Sequence, residues 1–178
     1  MKRCTLIIPD SGPFNSLWVA DQLPLLLALD MRIVVLDAIV AEVTSDPKHW
    51  PKDAAVKEFI ETHQPPFVIE QTGVWQDECA RRTRRGRKRN HIGELAIADF
   101  LNAEDGLRKY LAPGEPVLLL FKDAGFRVFE KPPHLHMLST VGILRSLERV
   151  GVVKSTDSII HEMTRPTKPG RRTEDAAA

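Results

Sequence analysis

A chain of 178 residues with 43% apolar and 28% charged residues and a formal net charge of +1 is one domain's worth of sequence, too apolar and too weakly charged to be wholly disordered. No uninterrupted apolar run approaches the ~20 residues of a membrane helix, and the first run, Leu6-Ile7-Ile8, stops at Pro9 and Asp10, so neither a membrane span nor a secretory signal is expected. Cys4 and Cys79 are too few for a disulfide scaffold and too distant for a zinc knuckle, which makes a reducing cytoplasm the expected compartment.

In chain order, residues 6–8 form a short apolar run that reads as a buried strand and is followed directly by Asp10, with Ser11-Gly12-Pro13 as punctuation. Residues 17–29 have helical spacing, and their leucines are read as core or dimer surface. Residues 33–36 are a second strand leading into a short helix that carries Ile39, Glu42 and Val43. A helix over 53–63, a Pro65-Pro66 connection and a strand over 67–69 come next. Residues 81–89 contain seven cations in nine positions, leaving 18 lysines and arginines against 24 acids elsewhere, so a basic segment sits on an acidic body. Glu94 opens a helix over 93–102. The turn Pro113-Gly114-Glu115-Pro116 precedes the most apolar strand, residues 117–121, which runs into Lys122 and Asp123. A helix over 141–150 ends the periodic part. The expected organisation is one domain over 1–164 with a flexible tail over 165–178.

Strands alternating with helices predict an α/β fold with a parallel sheet covered on both faces. Right-handed crossovers put every strand's C-terminus at one edge, where open α/β folds bind ligands. Asp10 and Asp123 fall at that edge, Glu42 lies on the short helix after the second strand, and Glu94 opens a helix of its own. Each has an ordinary alternative: Asp10 as a helix cap, Glu42 as an exposed helical acid, Glu94 as a charge favoured by the helix dipole. Four carboxylates brought together would repel one another without a cation, and hard oxygen ligands of this kind suit Mg²⁺ or Mn²⁺.

The ordered pieces Leu6-Ile7-Ile8-Pro9-Asp10-Ser11, Glu42, Gly93-Glu94-Leu95-Ala96-Ile97-Ala98, Leu118-Leu119-Leu120-Phe121-Lys122-Asp123-Ala124-Gly125-Phe126-Arg127 and Leu138-Ser139-Thr140-Val141-Gly142-Ile143-Leu144 resemble the PIN-domain family over roughly residues 5 to 155. This family comprises small metal-dependent ribonucleases and includes VapC-type toxins. The Gly-Glu and Thr-x-Gly-x-Leu helix starts resemble one branch of it in particular. The resemblance implies a three-layer α/β/α PIN-like domain with a central, mainly parallel sheet. It implies an Mg²⁺- or Mn²⁺-dependent endoribonuclease, including the toxin of a type II toxin and antitoxin pair, with catalytic acids Asp10, Glu42, Glu94 and Asp123. Asp10, Glu94 and Asp123 would hold the ion, Asp99 being a reserve ligand. Ser11 and Thr140 would orient a water or a phosphate, and Arg127 would contact substrate. RNA, a small antitoxin protein and a second copy of the chain are the implied partners. The chain departs from that branch in having Lys122 beside Asp123 where two adjacent acids are common.

The 81–89 run, represented by Arg84, Arg85 and Arg87, can grip an RNA backbone, bind an acidic partner or remain a solvated segment. Trp75 is the nearest aromatic to it. His91 precedes the Glu94 helix, and His134 and His136 lack a third ligand at metal-binding spacing. Two rivals stand beside the nuclease reading: a non-catalytic PIN-like module that binds RNA or protein, and a phosphatase using Asp10 as nucleophile. The second lacks the usual acid two positions on, where Gly12 stands.

Overall fold

Parallel strands covered on both faces must be apolar at every position, and this requirement selects the chain's densest runs of Ile, Val and Leu. The computed structural model describes residues 4–86, 89–103, 105–122 and 133–164. The strands are β1 (Leu6–Pro9), β2 (Arg32–Leu36), β3 (Phe67–Glu70), β4 (Val117–Phe121) and β5 (Leu135–Ser139). They form one sheet in the order β3-β2-β1-β4-β5, with every pairing parallel. All four residues of β1 are buried, as are Ile33 to Leu36 of β2 and Val117 to Leu120 of β4.

The helices are α1 (Ser11–Val19), α2 (Asp37–Val43), α3 (Pro51–Thr62), α4 (Gly73–Arg85), α5 (Ile92–Asn102), α6 (Thr140–Arg149) and α7 (Thr156–Met163). α1 packs with α3 and α7, while α4 and α5 pair with each other and α5 reaches β2. The chain steps outward from β1 to β2 and β3, then crosses back to place β4 on the other side of β1. Right-handed crossovers in the two directions put their helices on opposite faces, giving the three-layer α/β/α architecture. None of the described helices is long and apolar enough to cross a membrane.

The helix expected over 17–29 does not form as one, and Ser11-Gly12-Pro13, expected as punctuation, instead opens α1, where Pro13 needs no helical amide partner in the first turn. α1 ends at Val19, Asp21 takes a positive φ of 55°, and a 3-10 helix covers Leu23–Leu29 with a proline in its first turn. Pro24 has no amide hydrogen to give and its ring clashes with the carbonyl four residues back, so one α-helix cannot run through it. Among the described residues the structure adds α4, α7, β5 and a short 3-10 helix over Leu107–Lys109 to the elements expected from the sequence, β5 being an edge strand with only Leu135 fully buried. The tail expected over 165–178 lies outside the described residues.

Between α1 and α3 the interior holds a polar knot. Lys52, 2% exposed, places its Nζ 3.1 Å from Asp53 Oδ1 and donates to Asn15 Oδ1 at 3.0 Å. Asp53 Oδ2 accepts from the Asp46 amide at 2.8 Å and from Ser45 Oγ at 3.3 Å. One buried cation thereby ties the first helix to the loop that follows α2.

Candidate active site

β1 and β4 are neighbours in the sheet but not in the chain: β2 and β3 lie on one side of β1, and β4 and β5 on the other. Such a switch point opens a crevice at the strands' C-terminal ends. Asp10 sits in it. Its amide donates to Leu120 O of β4 at 2.8 Å, continuing the register in which Pro9 faces Leu120. Asp10 occupies the cap position of α1, and its side chain makes no cap hydrogen bond.

One close approach brings another acid to Asp10, and a second packs the start of α1 against the end of β4. At Gly93 in the first turn of α5, a Cβ would lie 2.6 Å from Ile39 Cδ1, 3.4 Å from Glu42 Oε2 and 3.8 Å from Asp10 Oδ1. The missing side chain is what lets α5 press against α2, and it shows that the carboxylates of Asp10 and Glu42 flank one point. At Gly12 a Cβ would fall 2.5 Å from Lys122 Cβ, so the start of α1 is equally tight against the end of β4. Ser11 Oγ donates to Glu42 Oε1 at 3.0 Å, fixing the orientation of that acid. Glu94 has its Oε2 2.9 Å from His91 Nδ1.

The electrostatics follow from this crowding. Burial is the largest influence on Asp10 and pushes its carboxyl up from 3.8 to about 6; the Ser11 and Gly12 amides pull the other way, and the charges of Glu42 and Glu94 push further up. Among the described residues, the main influences on its charge besides burial are two backbone amides and two acids. Asp10, Glu42 and Glu94 are thus one electrostatic cluster. Among the described residues no three histidine, cysteine, aspartate or glutamate side chains are drawn together closely enough to hold an ion.

The remaining site expectations sort by position. Thr140 is fully buried at the start of α6, and its hydroxyl donates to Phe121 O at 3.1 Å, so it fastens the end of β4 to α6. Asp99 is turned toward the start of α4, where its Oδ2 accepts from the Val74 amide at 3.4 Å. Arg84 lies exposed in the last turn of α4, which also contains Arg85. Asp123, Arg127 and Arg87 lie outside the described residues. His136 is an exposed residue of β5.

Two functional features escape a reading by sequence. Gly93 is read in the sequence only as part of the Gly-Glu helix start, and the close approach it permits is tertiary and has no local signal. Glu78 could have been found, since it stands three and four residues before Arg81 and Arg82, the spacing at which helical side chains meet.

No protein-family model, curated protein or solved structure compared with the chain matches it.

Proposed function

We propose that the chain is a metal-dependent endoribonuclease that hydrolyses RNA phosphodiester bonds at the β1/β4 edge. The observation that supports this reading is the clustering of Asp10, Glu42 and Glu94 at the switch point, with Asp10 held up at about 6 by burial and by the other two acids. Helix starts at such an edge ordinarily favour phosphate directly. Here the first residue after β1 is an acid, so a phosphate needs a cation between itself and the protein.

The donor set suits a hard divalent ion: carboxylate oxygens, that of Asp10 buried and pushed up further by neighbouring acids. Asp10, Glu94 and Asp123 would hold it, with Glu42 completing the acidic pocket. When bound, such an ion supplies Lewis-acid activation of water and neutralises charge that develops on the phosphodiester. The chain's own groups supply the rest. Ser11 holds Glu42 by its hydroxyl, Gly93 keeps the crevice narrow, and Thr140 secures the strand that leads to Asp123.

Cleavage of a panel of structured and single-stranded RNAs with Mg²⁺, with Mn²⁺ and with EDTA tests the reading. Wild type is expected to cut only with a divalent ion, and Asp10→Asn to lose at least about a hundredfold in rate. Equal inertness of both chains, with no calorimetric signal for either ion, would leave the non-catalytic module as the better account.

A further inference from the structure

The basic run over 81–89 is not presented as a uniform arm. Glu78, in the middle of α4 with its side chain 1% exposed, lies beneath two of its arginines. Arg81 donates to it in fork geometry, Nε to Oε2 at 2.8 Å and Nη2 to Oε1 at 2.9 Å, and Arg82 adds Nε to Oε1 at 2.8 Å. These arginines pull the Glu78 carboxyl well below the usual carboxylate range. α4 stops at Gly86, whose φ of +69° suits the residue type. The Arg89 amide also donates to Glu78 Oε1, at 3.0 Å.

The Arg82 guanidinium lies 4.7 Å from the Trp75 ring centroid, and its Nη2 has no acceptor among the described residues. Arg84 is exposed and has no acid partner among them. The Val74 amide at the start of α4 meets Asp99 near the end of α5, so the two helices are antiparallel and the end of α4 sits beside the start of α5. That start carries Gly93 and Glu94. The basic segment therefore adjoins the acidic crevice.

A carboxylate held by an arginine fork occupies the place a phosphate takes in such a fork. We infer that the end of α4 is a clamp for the phosphate backbone of nucleic acid, and that Glu78 is its internal counterion, limiting how many arginines the clamp offers. This rests on the nuclease reading for the class of polyanion. Trp75 already has Arg82 over its ring and the 81–89 run has no aromatic, so the clamp grips backbone and reads no bases.

The test is binding of a fluorescent oligouridine of about sixteen nucleotides to the full chain in EDTA, across roughly 50 to 200 mM KCl. Glu78→Gln keeps an acceptor for Arg82 and the Arg89 amide but removes the charge. It is expected to bind about threefold tighter or better, with the logarithmic salt slope steeper by about 0.7 for each arginine released. Arg84→Ala is expected to bind more weakly, with a slope shallower by about 0.7. Glu78→Gln binding no tighter at an unchanged thermal midpoint would overturn the proposal. If that variant loses midpoint, Arg84→Ala decides, and an unchanged slope overturns it. Competition by polyglutamate as effective as by oligouridine would also overturn it, in favour of an acidic protein partner. Because the measurement contains no divalent ion, a chain that binds in this manner but cuts no RNA keeps the clamp and loses the nuclease reading. Cutting by a chain whose binding ignores both variants does the reverse.

Discussion

Asp10 is a buried acid with acids for neighbours, and its carboxyl shifts up from 3.8 to about 6 chiefly through burial. The folded chain therefore keeps a proton between about pH 4 and 6 that the unfolded chain has already lost. In that window the unfolded state binds fewer protons, so stability falls as pH rises. The contribution is fully present below about pH 4 and is gone once pH has passed through about 6. A shift of about two pH units corresponds to about 3 kcal/mol. Asp10→Asn removes the ionisation while keeping the shape, so in EDTA at pH 7.5 it is expected to be more stable than wild type by about 2–3 kcal/mol in urea unfolding, with the gap closing below pH 4. A variant less stable than wild type at pH 7.5 would mean that Asp10 is compensated in the fold. A gain in stability with a loss of cleavage is the trade expected of a strained active-site residue.

At the scale of elements, the Lys52 knot joins α3 to α1 and to the loop after α2, and so indirectly holds Ser11 and Glu42 in place. Removing one partner of a buried ion pair leaves the other charged and dry, which costs about 3–5 kcal/mol. Lys52→Met is expected to lose about that much in urea unfolding, and Lys52→Met with Asp53→Asn to recover part of it. A loss below about 1 kcal/mol would show that water reaches Asp53. This knot is not legible in the sequence, because Lys52 and Asp53 read as ordinary charges near a helix start and Asn15 lies 37 residues from its lysine. β1, β2 and β4 are legible, since burial on both faces demands continuous apolar residues. β5 is not: at the sheet edge it carries an exposed His136 and only one fully buried residue. α4 is hidden by its own charge, as its arginines mask a helix whose capping residue, Thr72, accepts from the Trp75 amide. The acids of the site are legible one at a time, as residues at strand ends and helix starts. The approach of Asp10, Glu42 and Glu94 is not, because it is made in three dimensions by packing such as Gly93 permits.

At the scale of the whole molecule, seven cations are gathered at 81–89 on a body that is about six units negative without them, and the two regions meet where α4 ends and α5 begins. An acidic body repels a polyanion, so the basic segment alone would have to draw nucleic acid against that field. A divalent ion in the crevice changes the balance at the point where a phosphate must approach. Ion binding to the folded chain alone adds stability by mass action, about 2.7 kcal/mol when the ion stands at a hundred times its dissociation constant. For a chain of this length that is roughly 5–10 °C in thermal midpoint. Wild type is expected to show such a rise in millimolar Mn²⁺ or Mg²⁺ relative to EDTA at equal ionic strength, and Asp10→Asn to show little of it. Because Asp10→Asn starts from the higher midpoint in EDTA, the two chains should converge as the ion is added, since the ion relieves in wild type the same repulsion that the substitution removes. Equal shifts in both chains would place the ion elsewhere on the acidic body and separate metal binding from the β1/β4 crevice.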